Sequence, residues 1–204
     1  MQQRDNNVNF EDIFRSSEPS RDKYLSRLFA LFSERAVRAW CACPDAPYED
    51  LGRPTLYQSG QTRGHTLDFT LRRRDSGKKY VSELKCELEY DGYRYLRLRS
   101  ADQLRHHTSP AFEKFLRTAK DPTAFDVRCK GHSEAVDGAI LIWGAVAPEG
   151  HEVVMREFAF ADVLSVEKIL EDLRVWAPAA WTDLISRHRN WTNELFDFLV
   201  SMRT

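Results

Sequence analysis

Net charge is almost absent from this 204-residue chain, which sets 30 Lys and Arg against 31 Asp and Glu for a formal −1. So close a balance excludes a globally basic coat for nucleic acid, and any polyanion must be met by a local patch. Long apolar runs are lacking as well. The longest, Ala139 to Trp143 with Ala145 to Ala147 after one glycine, is far too short to cross a bilayer, so no membrane role is implied. The first residues lack the apolar core of a secretory leader, and Cys41, Cys43, Cys86 and Cys129 are too few and too unevenly spaced for a disulfide framework. Both absences point to a cytoplasmic protein with reduced thiols. There is no glycine-rich loop of the Walker or dinucleotide type and no Gly-x-Ser-x-Gly elbow, which leaves nucleotide hydrolysis and serine esterase chemistry without a foothold. Internal repeats and low-complexity segments are also missing.

What is present is the composition of a folded protein, 42% hydrophobic, and long enough for one domain with a real core. Residues 1–19 read as an arm, loosely ordered or docked through Phe10, Ile13 and Phe14. Residues 20–204 read as a single domain, with a core over about 20–147 and a C-terminal strand and helices over 148–204. Apolar residues at intervals of three and four predict a helix from Ser20 to about Cys41, closed by Pro44 and Pro47. A first strand is expected from Pro54 to Ser59. A strand buried on both faces is expected around Ala139 to Trp143, another strand from His151 to Phe160, and a helix from Asp162 or Ser165 to Arg174. A long last helix opens at Pro178, its one wide apolar stripe of Trp181, Leu184, Ile185, Trp191, Leu195, Phe198, Leu199 and Met202 being either core or a partner surface. The class is α/β in the mixed sense, a central mixed sheet flanked by helices with a C-terminal helical extension.

The chemistry concentrates in two strand-like runs. In the first, alternation puts Thr66, Asp68 and Thr70 on one face and Leu67, Phe69 and Leu71 on the other. In the second, Glu83, Lys85 and Glu87 share one face, with Leu84, Cys86 and Leu88 opposite. Asp75-Ser76-Gly77 between them is a turn signal, so the pair reads as a hairpin. An exposed, ion-paired hairpin would have the same pattern. After it, Asp91-Gly92 signals a second hairpin into a strand from Tyr93 to Arg99. There Arg94, Arg97 and Arg99, with Arg105 beyond, interleave with Tyr93 and Tyr95. That stretch suits phosphate contact and base stacking, or equally a charge-protected edge strand. Ser100 to Gln103 fits a capping box at the start of a helix, which explains Gln103 without a ligand. His106 and His107 read as surface residues.

A leading helix with Glu34, an aspartate in Gly64-His65-Thr66-Leu67-Asp68 and the triplet Glu83-Leu84-Lys85 on the next strand resemble the PD-(D/E)XK nuclease superfamily. The likeness covers residues 20 to about 147. It departs from the family pattern in placing Leu67, not proline, before the aspartate. The resemblance implies a restriction-endonuclease-like core and a Mg2+-dependent endonuclease hydrolysing phosphodiester bonds in DNA, with Mn2+ as a substitute and RNA not excluded. It implies metal ligation by Asp68, Glu83, the backbone carbonyl of Leu84 and Glu34, with Lys85 completing the catalytic set, and DNA contacts from Arg94, Arg97, Arg99, Gln103, Arg105, Tyr93 and Tyr95. Oxygen ligands of this kind suit a hard divalent cation, and a lysine beside it can orient water or stabilise the crowded phosphate. A homodimer through the C-terminal helix is a further expectation. The alternative is a catalytically inactive nucleic-acid or protein binding module of the same fold. Cys41, Cys43, Cys129 and His132 offer a rival set of zinc ligands, although Cys-x-Cys is tighter than the usual spacing.

Overall fold

A computed structural model describes residues 10–86 and 96–202. The helix expected over 20–41 is two helices. α1 (Pro19–Ala30) ends at Leu31, and α2 (Ser33–Cys41) begins after Phe32, whose backbone at φ −127°, ψ 3° leaves the helical region. The break lets neighbouring aromatics serve different partners. Phe29 packs with Phe10 and Phe14, docking the end of the arm, while Phe32 reaches Trp181 and His188 near the C-terminus.

Six short strands follow: β1 (Tyr48–Gly52), β2 (Pro54–Tyr57), β3 (His65–Thr66), β4 (Phe69–Arg73), β5 (Lys79–Lys85) and β6 (Arg97–Leu98). Next come α3 (Asp102–Arg105), α4 (Pro110–Lys120), β7 (Asp126–Cys129), β8 (His132–Ser133), β9 (Ala139–Trp143) and β10 (Ala145–Val146). The chain closes with α5 (Pro148–Phe158), β11 (Asp162–Ser165), α6 (Val166–Trp176) and α7 (Ala179–Ser201). The central sheet has the order β1-β4-β5-β9-β11. β4 runs antiparallel to β1 and β5, whereas β5, β9 and β11 are mutually parallel, so the sheet is mixed.

Helices cover both faces of this sheet, which explains why β9 is apolar without alternation. Its Ile140 and Ile142 join the core with residues of α2 and α6, and its Ala139, Leu141 and Trp143 join the core with residues of α4 and α5. A second, antiparallel sheet, β3-β2-β7-β8, stands beside the first, and β6 pairs with β10 in a short parallel ladder.

Several expectations are corrected. The strand expected over 54–59 belongs to the second sheet, and β1, whose Tyr-Glu-Asp-Leu-Gly sequence has no apolar alternation, went unforeseen. The strand expected over 151–160 is the helix α5. Pro148 fixes its first turn, and Gly150, Val154 and Phe158 recur every four residues on its buried face. Gly150 is needed there, because a Cβ would lie 2.2 Å from the Leu98 carbonyl oxygen. Asp162 starts a strand, and the next helix begins after Ser165, whose hydroxyl accepts from the Lys168 N–H at 3.3 Å. The second hairpin and the start of its strand, with Glu87, Tyr93, Arg94 and Tyr95, lie outside the described residues. No helix among the described residues is long and apolar enough to cross a membrane.

Candidate active site

Asp68 sits where the chain passes from the second sheet to the first. The single strand expected over Thr66–Leu71 breaks there, and its side-chain alternation breaks with it. Leu67 is buried in the core beneath α4 and Phe69 in the opposite core beneath α2. Three donors then fix the aspartate. Its Oδ2 accepts from the Leu84 N–H at 2.8 Å, its Oδ1 from Arg53 Nη2 at 3.5 Å, and its carbonyl from Arg38 Nη2 at 3.2 Å.

The hairpin register brings the second acid alongside. Phe69 pairs with Ser82, so one further step places Asp68 against Glu83. In an extended strand a residue's N–H and C=O face the same edge, and the Leu84 carbonyl therefore faces the edge where its N–H meets Asp68. Glu83 is 8% exposed, and its Oε1 accepts from Lys85 Nζ at 2.8 Å. Its Oε2 is buried and has no hydrogen-bond partner among the described residues. Burial, followed by the nearby Asp68 carboxylate, raises the Glu83 pKa above the ordinary glutamate value, with Lys85 opposing the rise.

Lys85 lies on the same face, its Nζ 5.5 Å from the centre of the Phe112 ring at the start of α4. His107 packs on Phe112 and Trp143 with ring centres 5.0 and 5.7 Å away. Burial first, then the Lys85 charge, lowers its pKa to about 4, so the imidazole is neutral near pH 7. The expected surface histidine is thus a half-buried neighbour of the site.

Asp68, Glu83, Leu84 and Lys85 therefore converge as expected from the sequence, but Glu34 does not join them. It sits in the first turn of α2, its side chain 44% exposed, and pairs at 3.7 Å with Arg38, which in turn bonds Asp50 and the Asp68 carbonyl. Among the described residues no three His, Cys, Asp or Glu side chains are grouped to hold a metal. That statement covers the cysteines too: Cys129 and His132 are cross-strand neighbours on β7 and β8, whereas Cys41 and Cys43 close α2. Two carboxylates and a carbonyl remain at the site, a donor set that fits Mg2+, which commonly keeps several waters and takes only one or two protein carboxylates.

The expected DNA contacts fare unevenly. Arg97 is spent inside the fold, its Nε 2.6 Å from Glu11 and its Nη2 3.3 Å from Glu167. Gln103 is buried, accepting from the Arg99 and Ser100 N–H groups and donating to the Arg97 carbonyl; the helix's N-cap is Ala101 without a side-chain cap, so Gln103 braces the preceding segment and the expected reciprocal capping box with Ser100 is not formed. Arg105 pairs with Asp102 and Glu157, and Arg99 is exposed. The sequence reading missed Arg38 and Arg53. Arg38 had a signal, standing one helical turn after Glu34; Arg53 had none, because it depends on the turn between β1 and β2. Compared with family models, curated proteins and solved structures, the chain matches none.

Proposed function

We propose that this chain is a metal-dependent nuclease that hydrolyses phosphodiester bonds in DNA. The observation that carries the reading is the meeting of Asp68, just before β4, with Glu83 and Lys85 of the neighbouring interior strand β5, where Glu83 keeps a buried carboxylate oxygen without a partner among the described residues. Burying such an oxygen unsatisfied is costly, and a cation would relieve that cost. The order of the elements supports the same reading: leading helices, a hairpin carrying the aspartate and the Glu-Leu-Lys triplet, then helices and a fully buried parallel strand.

Asp68, Glu83 and the Leu84 carbonyl would hold Mg2+ or Mn2+, which when bound supplies the charge that acidifies a water and offsets charge gathering on the phosphate. The protein's own groups do the rest. Lys85 Nζ, now on Glu83, turns its remaining donors to the attacking water or a non-bridging phosphate oxygen. Arg53, exposed beside Asp68, meets the substrate's phosphate. Arg38 acts as a positioning residue by holding the Asp68 carbonyl.

A second reading is a binding module that has lost catalysis. It is favoured by the lack of a third acid among the described residues and by the existing pairs of Glu83 with Lys85 and Asp68 with Arg53. Incubation with supercoiled, linear and single-stranded DNA and with RNA, in Mg2+, Mn2+ or EDTA, separates the two. Cutting of DNA that needs the cation is expected. Salt-sensitive binding without cutting would establish the module.

We also propose that two copies pair through α7. None of its residues is buried, and Trp191, Leu195, Phe198 and Met202 are all more than half exposed at the four-three-four spacing of a helix-pairing seam. Sedimentation velocity should show a concentration-dependent dimer that Leu195→Glu with Phe198→Glu converts to monomer; a monomer at all concentrations would rule the pairing out.

A further inference from the structure

The second sheet has a cleft of about 330 Å³ at the far end of β2, bounded by Tyr57 to Gln61 on one side and by Thr123 to Asp126 with Arg128 on the other. We propose that this cleft holds an unpaired nucleobase of the strand whose phosphate lies at Asp68 and Glu83. The inference rests on the nuclease reading and adds to it a site and a substrate class: a strand with at least one base out of the duplex stack.

The chemistry of the walls supports that occupant. Arg128 lies over the Tyr57 ring at 4.8 Å from its centre, and Lys114 and Arg117 of α4 each lie 5.4 Å from the centre of the neighbouring Phe125. Phe125 is buried beneath its two cations, so the platforms left to a base are the half-buried Tyr57 ring and the Arg128 guanidinium plane, with Lys114 and Arg117 as charges for phosphate. Gln58 and Gln61 are exposed at the rim and can pair in-plane with a base edge, each amide offering both donor and acceptor. The one acid in the wall, Asp126, is held by Arg128 at 2.8 Å and Ser133 at 2.7 Å, so its repulsion of phosphate is offset.

Position supports it as well. β2 starts just after Arg53, which touches Asp68, and ends at Tyr57 in the cleft. The four strand steps from Arg53 to Tyr57 span about 13 Å, or about four steps of stacked bases. Helix α4 follows the same path, from Phe112 under Lys85 to Lys114 and Arg117 beside the cleft. The base that is read should therefore lie about four nucleotides from the cut.

The test is fluorescence anisotropy in EDTA, where cutting is blocked, using a labelled single-stranded oligonucleotide and the same sequence as duplex. Tyr57→Ala should weaken single-strand binding by about tenfold and duplex binding by less than about twofold, whereas Tyr57→Phe should bind as wild type. Joint Gln58→Ala and Gln61→Ala should change the ranking of the four homopolymers. Unchanged single-strand binding by Tyr57→Ala overturns the cleft as the base site. Cleavage in Mg2+ is scored separately. Cutting with Tyr57-independent binding overturns the cleft alone; Tyr57-dependent binding without cutting overturns the nuclease and leaves the cleft; neither binding nor cutting overturns both.

Discussion

Lys85→Ala is expected to slow phosphodiester cleavage by about 10²–10³-fold while leaving nucleic-acid affinity within a few-fold, because removing one preorganised donor from a site of developing charge has effects of that size. The lysine is well placed for such a role. Its side chain is 22% exposed, lies against the Phe112 ring and is joined to Glu83, so its ammonium is held rather than waving in solvent. Single-turnover rates at saturating protein isolate the chemical step, and Lys85→Met, which keeps the stem on Phe112, separates lost charge from lost packing. A wild-type rate in Lys85→Ala would place the chemistry elsewhere on the protein.

Glu83→Gln should give two opposite results at once: cleavage falls by a similar factor or more, and the metal-free protein becomes more stable near neutral pH. The second effect follows from burial. Glu83 has a pKa raised above 4.5 in the folded chain, so as pH rises from 4.5 to that raised value the unfolded chain sheds its proton first and the folded state loses stability. Above that window the full penalty of a buried carboxylate is present. Glutamine keeps the Oε1 acceptor for Lys85 and removes the charge. Thermal melts in EDTA at pH 7 should give the variant the higher midpoint. The gap should close as pH falls through the ordinary glutamate range. Adding Mg2+ should raise the wild-type midpoint and leave Glu83→Gln unmoved. A variant that melts lower in EDTA would show that the carboxylate stabilises the metal-free fold.

The mixed sheet and most of the site were legible because they rest on local pattern. Five apolar residues in a row marked β9 as buried on both faces, and alternation put Glu83 and Lys85 on one face of a strand following a turn. What was not legible depended on distant partners. α5 resembled a strand because Val153, Val154 and Phe158 are β-formers, and the helix shows itself in Pro148 at its first turn and in the four-residue recurrence of Gly150, Val154 and Phe158 packed against Leu98 and the core. The helix break at Leu31 and Phe32 has no glycine or proline to announce it and is set by aromatics far apart in sequence. Arg97 looked like a free cation until Glu11 and Glu167 were brought to it from either end of the chain.

The two residues flanking Asp68 are each locked into a different core, and β3, immediately before it, is laddered to β2 through Thr55 and Thr66. Asp68 is thus a mechanical joint. Its carboxylate is bonded to the Leu84 N–H of the first sheet, while its neighbour Leu67 is bonded through its N–H to the Pro54 carbonyl of the second. On the nuclease reading proposed above, the way the second sheet seats a strand would act directly on the residue proposed to hold the cation.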